Sequence, residues 1–331
     1  MVKTVRVVLV MMVLALAAGC TAPAAAPAAA VEKQAVALKL PFMPNVQFAP
    51  VYVALEKGFF SQQGLDVTLE YGPENDAVAL IGANQAKFAV VSGEQVLLGR
   101  AQGLPVVYIT AWYQQYPVGI AALENSGIAT LQDLKGRKVG TPVVYGASYI
   151  GLRALLNAGG LQEKDIDLRT IGYTQVESLM TNQVDAVVIY TANEPLQLAA
   201  QGHTPVVLPV SDYTRLVSNG LLTSQKVLDE EPDLAKRMSA ALLQGMDYTM
   251  QHSDEAFEIS KKYVENLDQD ASGVQKQVLE ASIELWKADR LGASDPQAWQ
   301  NMQDILLEMG LLSKPLDDLA AAYSNAYLPE K

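Results

Sequence analysis

Asn84-Gln85-Ala86-Lys87-Phe88-Ala89-Val90-Val91-Ser92 and Asn182-Gln183-Val184-Asp185-Ala186-Val187-Val188-Ile189-Tyr190 are the two stretches that decide the fold. Each is a polar Asn-Gln turn followed by a continuous apolar run built on Ala-Val-Val, and each run leads to an acidic residue, Glu94 or Glu194. An unbroken apolar run of this length reads as a strand buried on both faces, the kind found in parallel sheets. The repeat extends upstream. Val36–Leu40 is a short strand, 41–48 a loop, Ala49–Phe60 a helix closed by Gly58, and Asp66–Tyr71 a second strand. In the second copy Lys138–Gly140 is the strand, Thr141–Ser148 the loop, Tyr149–Ala158 a helix closed by Gly159-Gly160, and Asp167–Ile171 the next strand. Asp76–Ala83 and Glu177–Thr181 are the helices that enter the two Ala-Val-Val strands. Strand–helix–strand alternation written twice predicts an α/β chain of two similar lobes, each a mostly parallel sheet flanked by helices.

The remainder completes this plan. Thr204–Leu208 is a further strand, and helices at 231–250, 275–288 and 296–309 form a tail expected to pack back on the first lobe. Stretches 109–117 and about 208–216 would carry the chain between lobes. The expected organisation is 36–115 for the first part of lobe 1, 116–210 for lobe 2 and 211–331 for the rest of lobe 1. Ligands of open α/β sheets bind beyond the carboxyl ends of the strands, so two facing sheets place a ligand cleft between the lobes.

The amino-terminal segment reads as an address. Lys3 and Arg6 precede an unbroken apolar run, Val7–Ala18, too short to span a bilayer that needs roughly 20 residues. Leu16-Ala17-Ala18-Gly19-Cys20 resembles a bacterial lipobox, although the usual Leu three residues before the Cys is here Ala17. The reading is a signal peptide over 1–19, a diacylglycerol on Cys20, a Pro/Ala tether through residue 35, and an extracytoplasmic body anchored to the cell membrane. A secreted protein with a stray cysteine is the alternative.

Composition removes several classes. The chain has 331 residues, a formal charge of −12 and no basic stripe, so it is not expected to bind nucleic acid. One Cys excludes an intramolecular disulfide or a cysteine metal cluster, and His203 and His252 form no paired-His motif, so no metal or cofactor is expected. Gly146-Ala147-Ser148-Tyr149-Ile150 lacks the second glycine of a nucleophile elbow. P-loop and dinucleotide fingerprints are absent.

The loops at the strand ends point to the ligand. Stretches 41–48, 92–98, 112–117, 141–149 and 190–197 contain no basic residue, whereas strong oxyanions call for Arg, Lys or clustered amides. They are rich in aromatics instead: Phe42, Phe48, Tyr52, Trp112, Tyr113, Tyr116, Tyr145, Tyr149 and Tyr190 lie in or beside them. A neutral, flat heterocycle fits both facts, its faces stacked on rings and its polar edge read by amide, hydroxyl and carboxylate groups such as that of Gln47. The candidate site is Asn45, Phe48, Ser92, Trp112, Tyr113, Tyr145, Ser148, Tyr149, Tyr190, Thr191, Asn193 and Glu194. Each also has a plainer reading: Phe48 and Tyr149 as core, Trp112 and Tyr113 as hinge, Ser148 and Glu194 as helix caps.

Pro44-Asn45, Glu56-Lys57-Gly58-Phe59-Phe60, Gly64-Leu65-Asp66-Val67, Gly103–Val107 and Leu134–Gly140 resemble the ABC-importer substrate-binding family that takes pyrimidine precursors of thiamine. Wider relatives bind alkanesulfonates and nitrate. The likeness covers roughly residues 36–310 and implies a type II periplasmic-binding-protein-like fold, a monomer, a small-molecule ligand and an ABC-type permease as partner. Tyr145–Leu156 together with Tyr190–Pro195 looks like the riboflavin-binding branch, implying capture of riboflavin; a thiamine pyrimidine precursor is the alternative. The family also resembles a fungal pyrimidine synthase that relies on a cysteine-rich motif and a histidine. This chain has only Cys20, so an exported enzyme is the less favoured class.

Overall fold

The computed structural model describes residues 33–269 and 273–330. The expected signal peptide, Cys20 and nearly all of the expected tether lie outside these residues. The first strand, β1, runs Gln34–Pro41, beginning two residues before Val36, and is followed by β2 (Leu65–Gly72), β3 (Phe88–Val91) and β4 (Val106–Ala111). The chain then enters a second sheet through β5 (Val118–Leu123), β6 (Lys138–Thr141), β7 (Asp167–Thr170), β8 (Ala186–Tyr190) and β9 (Pro205–Pro209), and returns through β10 (Gly220–Ser224). The sheet orders are β2-β1-β3-β10-β4 and β7-β6-β8-β5-β9.

The two orders are the same plan used twice. In each sheet one strand is antiparallel to both neighbours, β10 beside β3 and β4 and β5 beside β8 and β9. Sequence periodicity did not single out either as a strand. Both are short apolar runs, and their direction is dictated by the crossing that delivers them. The Asn-Gln landmarks share one geometry: Asn84 and Asn182 both close a helix with φ of 57°, the left-handed conformation that Asn tolerates better than other side-chain-bearing residues.

The first predicted helix, 49–60, is two helices. Ala49–Glu56 stops at Gly58, whose φ of 72° no helix interior accepts, and Phe59–Gln62 restarts the coil. Helix Gly146–Ala158 begins three residues before Tyr149, where the sequence was read as loop. The tail helices pack on different partners. Helix Pro232–Gln251 packs on Ala49–Glu56. Helix Pro296–Glu308 touches both Gly93–Ala101 and Gly146–Ala158, so its Trp299, Met302 and Leu306 join one apolar core shared by the two sheets. The outer edge of β4 is closed by the carboxyl-terminal stretch, through Ser324 N to Tyr108 O at 2.8 Å.

Close approach of two helices sets one testable constraint. A Cβ on Gly245 would stand 2.2 Å from the Pro50 carbonyl oxygen. Gly245→Ala is expected to lower stability by about 1–3 kcal/mol despite the better helix propensity of alanine. A thermal melt checks this, and an unchanged midpoint would mean that the helices do not pack this closely.

Candidate functional site

A cleft of about 1420 Å³ opens between the carboxyl ends of the two sheets. Its walls follow the repeat. In the first sheet the loops after β1 and β2 and the helix after β3 supply Phe42, Asn45–Phe48, Gly72–Asp76, Gln95 and Leu98. In the second sheet the segments after β6, β7 and β8 supply Pro142, Val143, Tyr145–Ser148, Tyr173–Glu177, Tyr190, Asn193 and Glu194. The crossings between sheets form the floor, with Trp112 and Tyr113 from one and Asn219 from the other. The crossings are bonded together, since Trp112 N and Tyr113 N both donate to Asn219 O at 3.0 and 3.1 Å.

Nine of the twelve candidate residues lie on the cleft wall: Asn45, Phe48, Trp112, Tyr113, Tyr145, Ser148, Tyr190, Asn193 and Glu194. Ser92, Tyr149 and Thr191 do not. Ser92 is fully buried between Glu74 and Glu94. Tyr149 sits one residue, and so about 100° of helix turn, past Ser148; its hydroxyl donates to Glu163 and its ring lies under Arg153. Thr191 is a brace, donating from backbone N (2.7 Å) and Oγ1 (3.1 Å) to Pro117 O in the first crossing. Two aromatics of the loop inventory also stay off the wall. Tyr52 is buried against Tyr263, centroids 4.4 Å apart, and Tyr116 donates to Ala147 O at 2.9 Å. Asn45 faces the cleft but also caps the turn it begins, accepting from Gln47 N at 2.9 Å.

The wall rings Phe48 and Trp112 are backed by Tyr71 and Trp286, which lie behind the cleft lining. Phe48 meets Tyr71 and Trp112 at 6.1 Å each, and Trp112 meets Trp286 edge-on at 6.1 Å. Tyr145 stands 66% exposed at the opposite side. The mouth is bridged by Phe42 and Tyr173, centroids 5.1 Å apart, one from each sheet. Phe42 holds a φ of 65°, a strained value for an aromatic residue. Tyr173, Gln175, Glu74 and Asn219 were missed by sequence reasoning. The available signal was the repeat itself: Glu74 and Gln175 follow β2 and β7, equivalent loops that carry no motif of their own.

Three carboxyl groups are raised by burial. Glu194 accepts from Tyr190 N at 2.8 Å and from Gln175 Nε2 at 3.3 Å, yet loss of water raises it to about 7. Glu94 is raised to about 8, by burial first and by the neighbouring Glu74 second. Burial also raises Glu74, against the pull of its hydrogen bonds from Ser92 and Asn219. Among the described residues no cluster of His, Cys, Asp and Glu is arranged to hold a metal ion, and no helix is long and apolar enough to cross a membrane.

The sequence profile described as NMT1/THI5 like matches residues 45–256. The chain belongs to the NMT1/THI5-like family. Members include RibY, a riboflavin-binding protein of Chloroflexus aurantiacus, 36% identical over 93% of this chain and 92% of the relative. A formylaminopyrimidine-binding protein of Halalkalibacterium halodurans is 25% identical over 95% of this chain and 96% of its own length. Among solved structures, the periplasmic aliphatic sulphonate binding protein SsuA of Escherichia coli superposes with a TM-score of 0.72 at 15% identity, covering 87% of this chain and 91% of that one. The NMT1/THI5-like chain therefore has the periplasmic binding protein fold that the family resemblance implied, with the two similar sheets that the repeat predicted.

The raised acids fix a pH dependence. A carboxyl whose pKa is higher folded than unfolded favours the folded state while protonated, so its contribution is full below the ordinary value near 4.5 and is lost as pH rises through 7 to 8. The melting temperature is expected to fall between pH 6 and 8.5, and Glu94→Gln, which stays neutral, to flatten that fall. Parallel slopes for variant and wild type in a pH series of melts would contradict the assignment.

Proposed function

We propose that this chain is the solute-capturing component of a vitamin importer, taking riboflavin between its lobes and delivering it to an ABC-type permease. In this reading it acts outside the cytoplasm, held to the membrane by lipid on Cys20, and it is not an enzyme. The observation that carries the reading is an aromatic-walled cleft without a Lys, Arg or His among its described lining residues, in a chain related over its length to a riboflavin-binding protein.

The chemistry fits an isoalloxazine. The ring system is large, flat and uncharged, and Phe48, Tyr145 and Tyr190 offer faces for it, each stack contributing about 0.5–1.5 kcal/mol beyond burial. Ribityl hydroxyls find partners in Gln175, Asn193 and Glu194. The cleft exceeds the roughly 300–1,000 Å³ of ordinary ligand pockets, which favours a ligand larger than a single pyrimidine. Capture follows from closure. A ligand touching both lobes stabilises the form in which they meet, and the Phe42–Tyr173 contact closes the mouth over it.

A pyrimidine precursor of thiamine is the second reading, favoured by the formylaminopyrimidine-binding relative. An exported enzyme is less well supported. The only cysteine is Cys20, and neither His203 nor His252 lines the cleft.

Titrating riboflavin with the purified chain is expected to quench flavin emission saturably at submicromolar protein and to raise the melting temperature. Tyr190→Ala and Glu194→Ala should each weaken binding more than tenfold. No quenching and no thermal shift, with binding of a formylaminopyrimidine instead, would transfer the proposal to the second reading.

A further inference from the structure

Every charged residue on the described cleft wall is acidic: Glu74, Asp76, Glu177 and Glu194. The buried network behind Glu74 fixes where its charge sits. Glu74 accepts from Ser92 N at 2.9 Å and from Asn219 Nδ2 at 3.2 Å, and its carboxylate also meets the Ser92 hydroxyl. The same hydroxyl oxygen lies 2.5 Å from Glu94 Oε1. Ser92 has one hydroxyl hydrogen and cannot donate to both carboxylates. One of the two must itself carry a proton and donate it to Ser92. Glu74 receives the Ser92 and Asn219 amide donors, whereas Glu94 is fully buried, its Oε2 has no hydrogen-bond partner within reach among the described residues, and burial and the neighbouring Glu74 outweigh the pull of its own backbone N–H and Gln95. The proton therefore resides on Glu94 and the negative charge on Glu74, at the wall.

The same residues occupy the places where an anion would otherwise bind. Helix amino termini attract anions. The helices Glu74–Gly82 and Gly93–Ala101 carry Glu74, Asp76 and Glu94 in their own first turns. The helices Ala49–Glu56, Gly146–Ala158 and Val274–Trp286, whose first turns also border the cleft, start without an acidic residue.

We propose that Glu74 is a specificity-determining residue that excludes anionic ligands, so that the cleft takes the uncharged flavin and rejects its 5′-phosphate ester. This rests on the riboflavin reading and narrows it. Glu74 is fixed as an acceptor for N–H or O–H edges, and a phosphate monoester would face four carboxylates with no cation to offset them. Phosphorylated forms of the vitamin would then need an ester-hydrolysing reaction before capture.

The test compares riboflavin and riboflavin 5′-phosphate against the full chain by flavin quenching at pH 7.5. The wild type is expected to bind the ester at least 100-fold more weakly. Glu74→Gln should narrow that ratio at least tenfold, mainly by strengthening the ester, while the charge-keeping Glu74→Asp should preserve it. Comparable wild-type affinity for both flavins overturns the exclusion and leaves riboflavin capture standing. An unchanged ratio in folded Glu74→Gln overturns the role of Glu74. Binding of neither flavin removes the capture reading and this proposal together. The wild-type ratio decides the exclusion even where a variant fails to fold.

Discussion

Each sheet is completed by a strand that reaches it from the other lobe, and this exchange is the constraint on which the molecule depends. β5 enters between β8 and β9 straight from the first crossing, and β10 enters between β3 and β4 straight from the second. Both crossings are therefore anchored at each end in a sheet. They are also tied to each other at Asn219 O, and the first is held to helix Val274–Trp286 through Gln114 N and Gln115 N to Leu285 O. The anchoring points the carboxyl ends of β1, β2 and β3 toward those of β6, β7 and β8. The cleft is a consequence of that orientation, and its floor is made by the two crossings, through Trp112, Tyr113 and Asn219.

The walls combine two properties that seldom coexist. They are rich in rings and poor in compensating charge, so the carboxyl groups among them are partly desolvated without a cationic partner. That is unfavourable for the free protein. On the wall itself, burial raises Glu194 to about 7, which is the direction that cost takes. The backbone plan superposes on a sulphonate binding protein. Fold is shared across that comparison; selectivity resides in the side chains at the strand ends.

The duplicated architecture was legible because its signals are local. Ala-Val-Val runs can only be buried strands, and Asn84 and Asn182 terminate their helices in the conformation that Asn permits. β5 and β10 were not legible, because a five- or six-residue apolar run carries no information about which sheet will accept it or in which direction. The site shows the same division. Residues after β1, β6 and β8 were found from aromatic and polar clusters in loops. Tyr149 was misplaced because the helix starts at Gly146 and turns its ring away, and Ser92 because a short polar side chain after a strand looks the same whether it faces ligand or a buried glutamate. Tyr173 and Glu74 were overlooked since nothing near them in sequence distinguishes a cleft loop from an ordinary turn. Only the three-dimensional repeat brings them opposite Phe42 and Asn219.

The central claim is that a flavin is held between the two lobes, and a crystal structure of the chain grown with riboflavin tests it most directly. The account predicts one flavin in the cleft, its ring system against Phe48, Tyr145 or Tyr190 and a polar edge within hydrogen-bond distance of Glu74 or Glu194. A cleft empty of flavin at saturating ligand, or a flavin bound elsewhere on the surface, would contradict it.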